Sequence, residues 1–227
     1  MDPALALAQM LGPNVHSTLV SVHDTHAELL EAEREAVASA VPARRAEYST
    51  GRRCARRLLA ELGYADFALL AGPDRAPRWP AGVVGSIAHT RRLCAVAVAQ
   101  EGAIRSIGID LEDDGELESE LWPQFLAARE LRWLREQPGE RSGRLARMLF
   151  CAKESVQKCQ YPLSRSALEP REIEVELDLE AGSFRARLPA RSPSHSRCEA
   201  ELDGRIWAGA GALLTSVVLA PRLRTRA

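Results

Sequence analysis

Three short segments carry residues whose types and spacing suit work on a phosphorylated substrate. Ile107-Gly108-Ile109-Asp110-Leu111-Glu112 reads as a strand, so Asp110 and Glu112 project from one face, about 6–7 Å apart along the backbone, while Ile109 and Leu111 face a core. Two carboxylates so placed suit Mg²⁺, a hard cation that takes oxygen ligands, keeps several waters and shares itself with substrate phosphates. An isolated D-x-E is also what a solvated acidic strand end looks like, and Asp113, Asp114, Glu116, Glu118 and Glu120 follow directly.

The second segment is Phe150-Cys151-Ala152-Lys153-Glu154-Ser155-Val156-Gln157-Lys158. It holds both lysines of a chain whose thirty basic residues are otherwise all arginine. Lysine offers a compact, strongly hydrated ammonium in place of a planar fork, so its confinement to one segment points to chemistry. On a helix, Glu154 and Lys158 stand one turn apart on a face turned away from the apolar stripe of Leu145, Leu149, Ala152, Val156 and Cys159. With the D-x-E strand, Glu154 would complete three carboxylates around one cation, and Lys158 would neutralise phosphate charge beside it. Alone, Glu154 and Lys158 would be an ordinary surface pair worth a few tenths of a kcal/mol.

The third segment is Gly82-Val83-Val84-Gly85-Ser86-Ile87-Ala88-His89-Thr90, preceded by Arg75, Pro77, Trp79 and Pro80. His89 and Thr90 offer donors at a strand end, where a turn can also present backbone N–H groups to an anion. A hydrogen-bonded structural histidine is the plainer alternative.

Strands and helices must bring these segments together. Alternation predicts strands over 18–23, 83–88, 93–99 and 104–112, and then over 172–179, 183–188, 197–202 and 205–219, with Asp203-Gly204 as a turn signal. Helical spacing predicts 28–40, 43–62, 121–136 and 144–160. The helix at 43–62 carries Ala55, Leu58, Leu59 and Leu62 on one face, arginines around the others, and Gly63 at its end. The order suggests two α+β halves, 1–105 and 106–227, with no clear sequence repeat between them and an irregular loop over 190–196.

Composition narrows the function classes. At 227 residues, 46% hydrophobic and with a net charge of −1, the chain can bury a substantial core and is not a polycation, so generic nucleic-acid binding has little support. Five cysteines without a C-x-x-C indicate neither a disulfide framework nor a zinc cage, and fit a reducing compartment. The start of the chain lacks the basic region of a signal peptide, and the longest uncharged run, 208–220, is too short to cross a bilayer. The expectation is a cytoplasmic protein with no membrane partner.

Taken together, G-S-I-A-H-T, then I-G-I-D-L-E, then F-C-A-K-E-S-V-Q-K resemble the three ordered signatures of the 4′-phosphopantetheinyl transferases. The likeness is greatest to the Sfp-type and enterobactin-synthase-associated branch, and it extends upstream to Arg44-Arg45-Ala46-Glu47-Tyr48 with Gly51-Arg52, and to Pro77-Arg78-Trp79-Pro80. It covers residues 44–158 by recognisable pattern. The resemblance implies a pseudo-two-fold α+β monomer with coenzyme A and Mg²⁺ in the cleft between similar halves, acting on a serine of an apo acyl, peptidyl or aryl carrier protein and releasing 3′,5′-ADP. Several pathways would fit, among them siderophore, polyketide, nonribosomal peptide and lipid synthesis.

On that resemblance Asp110, Glu112 and Glu154 would hold the metal. Glu154, directly or through a metal-bound water, would be the base, with metal hydroxide as its competitor; Lys158 would meet the leaving oxygen, and His89 would hold the α-phosphate side. Arg45, Arg52 and Arg75 would take the 3′-phosphate and adenine end, with Thr90 as a further coenzyme contact and Lys153 either binding phosphate or orienting the helix. Two departures from the pattern stand out: Ala88 stands where a serine usually precedes the histidine, and Val156 and Gln157 replace a late aromatic residue. The carrier would present an acidic helix, with Leu117, Leu121 and Trp122 as an apolar contact. The competing readings are a non-catalytic protein that binds coenzyme A or a carrier on the same fold, and a Mg²⁺-dependent phosphohydrolase that uses water as nucleophile.

Overall fold

The segment Cys94–Ala99 is buried throughout, and its alternation divides two cores. Cys94, Val96 and Val98 pack with Cys54, Ala55, Leu58 and Leu59, whereas Ala95, Ala97 and Ala99 pack with Ile107, Ile109, Leu111 and Leu214. Small alanines on the second face let another sheet come close.

The structure is a computed structural model and describes residues 1–189 and 199–221. Helix α1 (Pro3–Leu11) leads into β1 (His16–Ser21), and α2 (Glu31–Glu35) into the long α3 (Pro42–Glu61). Strands β2 (Val83–His89) and β3 (Leu93–Gln100) complete an antiparallel sheet of order β1-β3-β2, against which α3 lies. Strand β4 (Ser106–Asp113) opens the second sheet, followed by α4 (Trp122–Phe125), α5 (Ala128–Arg135) and α6 (Gly139–Ser164). Strands β5 (Glu174–Asp178), β6 (Ser183–Arg187), β7 (Glu201–Gly209) and β8 (Ala212–Leu219) close it in the order β4-β8-β7-β6-β5, with α6 along β4 and β8. The architecture is α+β.

A repeat that the sequence hides appears in the side chains. Glu33 of α2 is fully buried; it accepts the Leu30 N–H at the helix start and the Leu69 N–H across the core, and it pairs with Arg56 of α3 at 2.7 Å. Glu130 of α5 does the same with Ala127 N–H, Val175 N–H and Lys153 of α6, each at 2.7 Å. Leu30, Glu33 and Arg56 align in sequence with Ala127, Glu130 and Lys153 with no insertion between them, and the shift that relates them also carries Cys54-Ala55 onto Cys151-Ala152. Each half is thus built around one inward-turned capping carboxylate.

Those carboxylates explain two departures from the expected helices. The expected helix at 28–40 shrinks to α2, and the one at 121–136 breaks at Leu126–Ala127, because a restarted helix lets Glu33 or Glu130 cap its own first turn. Helix α1 carries no signal that the sequence reading used. The strand expected over 205–219 is the hairpin β7–β8, turning at Ala210-Gly211, both at positive φ as a two-residue hairpin turn requires. Asp203-Gly204 lies inside β7 instead, because a Cβ at Gly204 would overlap the Phe184 ring. The expected loop at 190–196 and the start of the strand expected at 197–202 lie outside the described residues. Among the described residues four cysteines are free and buried, and no helix is long and apolar enough to cross a membrane.

Candidate active site

Glycine at position 108 sets the geometry of the site. On β4, Ile107, Ile109 and Leu111 fill the core between the sheets, so Gly108, Asp110 and Glu112 share the face toward α6. A Cβ at Gly108 would overlap the Ser155 carbonyl oxygen and lie 2.6 Å from the Cys159 nitrogen, so strand and helix backbones touch there. One pleat further along, Asp110 meets the next turn of the helix, and Lys158 Nζ donates to its Oδ1 at 2.6 Å. Asp110 is almost wholly buried, and its Oδ2 has no hydrogen-bond partner.

Charge is concentrated around that pair. Burial, then the neighbouring Asp110, pushes the Glu112 carboxyl up to about 7 against the pull of Arg147 and Lys158. Burial and Asp110 likewise raise Glu154, with Lys158 opposing. For Lys158 burial acts downward, but the Asp110 charge and hydrogen bond, with Glu154 behind them, outweigh it and the ammonium is raised. Asp110 therefore repels both glutamates, and the Lys158 ammonium opposes it at each. Among the described residues no three such side chains converge as a ligand set, because Arg147 Nη1 draws Glu112 aside at 3.1 Å and Lys158 takes one oxygen of Asp110. The donor chemistry still fits a hard divalent cation: all three groups offer oxygen, one buried oxygen is unpartnered, and a cation would relieve the repulsion.

The raised Glu112 makes stability depend on pH. A native carboxyl that holds its proton up to about 7 rather than 4.5 gives the folded state more protons than the unfolded one, so its contribution is full below 4.5 and is lost as pH rises through 7. Glu112→Gln removes that loss. Without divalent cations, the variant should match the wild type near pH 4 and exceed it by on the order of 2 kcal/mol at pH 8, read from urea unfolding. Equal stabilities at pH 8 would show that Glu112 ionises freely.

Of the three carboxylates, Glu154 lines a cleft of about 1130 Å³ between the two sheets' helices, and Asp110 and Glu112 do not line it. Its first wall carries Arg44, Tyr48 and Arg52 of α3, Arg75, Arg78 and Trp79 of the following loop, and His89; its second carries Glu154, Gln157, Lys158 and Tyr161 of α6, with Arg165 beyond. Arg52 is buried with its guanidinium 4.1 Å over the Tyr48 ring and its Nε unpartnered. Tyr161 donates to Asp74 Oδ2 at 2.8 Å, tying the loop of Arg75 to α6. Ser86 accepts the Ile109 N–H at 3.1 Å, which fixes β2 beside β4. His89 Nε2 accepts from Arg44 at 2.8 Å while Nδ1 lies 3.6 Å from Glu47, and burial, with Arg44 and Lys158 against Glu47 and Asp110, holds the imidazole below its usual value.

The structure brings Glu154, Lys158, His89, Arg52 and Arg75 to the cleft wall, with Asp110 bonded to Lys158 and Glu112 to Arg147 off that wall, and it places three expected coenzyme contacts elsewhere. Lys153 is 1% exposed and faces the core of the second half, bound to Glu130 and to the Pro170 and Ile173 carbonyls. Arg45 is off the cleft wall, which Arg44 occupies, because α3 turns Arg44, Tyr48 and Arg52 inward at four-residue spacing. Thr90 accepts the Arg92 and Leu93 N–H groups and closes the β2–β3 turn. Arg44, Glu47, Asp74, Arg78 and Tyr161 were not singled out for the site from sequence; the four-residue spacing on α3 was the available signal for Arg44. In the segment expected to dock a carrier, Leu117 is buried and Trp122 donates to its carbonyl, which leaves Leu121 exposed.

Two family models match the chain: the 4′-phosphopantetheinyl transferase N-terminal domain over residues 32–99 and the 4′-phosphopantetheinyl transferase superfamily over residues 106–213. Among curated proteins, the chain is 39% identical over 186 residues to the 4′-phosphopantetheinyl transferase Svp of Streptomyces mobaraensis, covering 81% of this chain and 76% of that protein. It is 34% identical over 212 residues to the 4′-phosphopantetheinyl transferase Npt of Nocardia iowensis, covering 86% and 95%. It is 31% identical over 196 residues to the 4′-phosphopantetheinyl transferase PptT of Mycobacterium tuberculosis, covering 84% and 86%.

Proposed function

The chain belongs to the 4′-phosphopantetheinyl transferase superfamily and modifies carrier proteins with phosphopantetheine, and on that premise we propose how its cleft performs the transfer. Coenzyme A lies along the cleft, its nucleotide end toward Arg52, Arg75 and Arg78 and its pyrophosphate toward Lys158 and His89. Guanidinium groups suit the 3′-phosphate because they bind it in a bidentate fashion.

The carrier serine attacks the β-phosphorus in line, the bond to the bridging oxygen breaks, and 3′,5′-ADP leaves. Glu154, whose raised carboxyl is a better base than a free glutamate, takes the serine proton. The Lys158 ammonium meets the charge that develops on the departing oxygen. Asp110 holds that ammonium in place. Mg²⁺, held by Asp110, Glu112 and Glu154, would supply further charge withdrawal from the phosphates. His89 reaches the α-phosphate by exchanging its Arg44 contact for a phosphate oxygen, which leaves both groups facing one anion.

The observation that carries the mechanism is the placement of one ammonium between the buried Asp110 and a cleft walled by guanidinium groups. We assign the carriers to the acyl, peptidyl and aryl types of polyketide, nonribosomal peptide and siderophore assembly, the enzyme to the Sfp-type branch acting as a cytoplasmic monomer, and the two halves to 1–105 and 106–227. A non-catalytic binder on this fold is not favoured by the similarity to named transferases. The test is intact-mass measurement of apo carriers after incubation with coenzyme A and Mg²⁺. Carriers should gain one phosphopantetheine, and the gain should vanish on chelation; no gain on any carrier class would overturn the reading.

A further inference from the structure

Lys153 is a fully buried cation one residue from Glu154, outside the cleft. Its three N–H donors meet three acceptors: Glu130 Oε2 at 2.7 Å, the Ile173 carbonyl at 2.6 Å and the Pro170 carbonyl at 3.0 Å. Those acceptors come from α5 and from the segment entering β5, while Glu130 is itself fixed by the Ala127 and Val175 N–H groups. A planar guanidinium cannot direct donors along three diverging lines.

We propose that the Lys153–Glu130 pair is a positioning element that sets the rotation of α6 about its axis, so that Glu154 and Lys158 face the cleft. The apolar stripe of α6 ends in small side chains where the helix passes Gly108, and on the strand side Ser106 and Thr215 donate to the Cys159 and Cys151 carbonyls, so the Lys153 contacts hold the opposite flank of the helix. Turning a helix by roughly 10° moves side-chain ends lying about 6 Å from its axis by about 1 Å. A shift of that size at reacting groups can cost about 100-fold in rate. Stability alone does not explain the pair, since well-packed apolar residues often replace a buried ion pair without loss. The first half supplies the comparison. There Arg56 pairs with Glu33 but is 15% exposed at its side chain, and Arg57 and Glu61 stand where α6 has Glu154 and Lys158. The tightly enclosed ammonium occurs in the half whose helix carries the reacting groups.

The inference rests on the transferase reading, and the test separates the two. In the full-length protein, Lys153→Met with Glu130→Leu replaces the pair by apolar groups of similar size. With two lysines in the chain, ¹⁵N-lysine labelling gives at most two ammonium signals, and this variant leaves Lys158 alone. The variant should unfold within a few degrees of the wild type, its Lys158 signal should move toward that of an exposed lysine, and kcat should fall about tenfold with KM for coenzyme A within about threefold. A wild-type Lys158 signal together with wild-type kcat would overturn the proposal. If the double variant does not fold, Lys153→Arg decides by the same two readings: a shifted Lys158 signal with reduced kcat supports positioning, and no change in either overturns it. Absence of transfer by the wild type to any carrier would sink the transferase reading and leave the ammonium signal to decide this one.

Discussion

Alanine at Gly108 is expected to destabilise the protein by about 3 kcal/mol or more and to remove transfer activity, although the added methyl carries no charge and lies on a strand. Its Cβ would overlap the Ser155 carbonyl oxygen and crowd the Cys159 nitrogen and Cβ at 2.6 and 2.8 Å. Backbone atoms in the middle of a 26-residue helix cannot step aside as a side-chain end can, so β4 and α6 must separate. Separation breaks the 2.6 Å contact between Lys158 and Asp110, because Asp110 reaches the helix only where its neighbour has no side chain. Gly115→Ala is the control, since a Cβ there meets nothing within 4 Å and should change stability by less than about 0.5 kcal/mol. Urea unfolding of both variants decides the matter: a Gly108→Ala midpoint equal to that of Gly115→Ala would show that the two backbones are not in contact.

Much of the site was legible because it depends on local periodicity. A two-residue period puts Asp110 and Glu112 on one face, and a four-residue spacing does the same for Glu154 and Lys158, whatever the rest of the chain does. What was not legible depends on distant partners. Lys153 carries the same local signals as Lys158, and only Glu130, on a separate short helix, and the carbonyls before β5 turn it into a core residue. Arg44 and Arg45 are neighbours in a basic run, and the choice between them follows from the helix phase that seats Tyr48 and Arg52. The repeat escaped the sequence because little beyond the inward glutamate and one Cys-Ala pair is shared, with different residues around the carboxylate: Leu30 against Ala127, and Arg56 against Lys153. Asp203-Gly204 shows the converse. A strong local turn signal was overridden because Gly204 has to admit the Phe184 ring.

Replacing Lys158 by arginine should be almost as damaging as replacing it by alanine, despite the conserved charge. Lysine binds one oxygen of Asp110 and leaves Oδ2 buried and unpartnered, so the ammonium has donors to spare for a phosphate and Asp110 has an oxygen to spare for a cation. A guanidinium beside the same carboxylate would take both oxygens in a bidentate pair and spend its fork on Asp110. Lys158→Ala is expected to lower kcat by about 10²–10³, the usual effect of removing one donor aimed at developing negative charge. It should also lose on the order of 1–3 kcal/mol of stability, because Asp110 is left buried without its partner. Lys158→Arg is expected to keep that stability while still losing about 10² in kcat. Single-turnover transfer to a carrier, set beside thermal unfolding of the three proteins, tests the separation of the two effects. Wild-type turnover in Lys158→Arg would mean that charge alone is required at this position, and the confinement of both lysines to this helix would then rest on the buried donor geometry of Lys153.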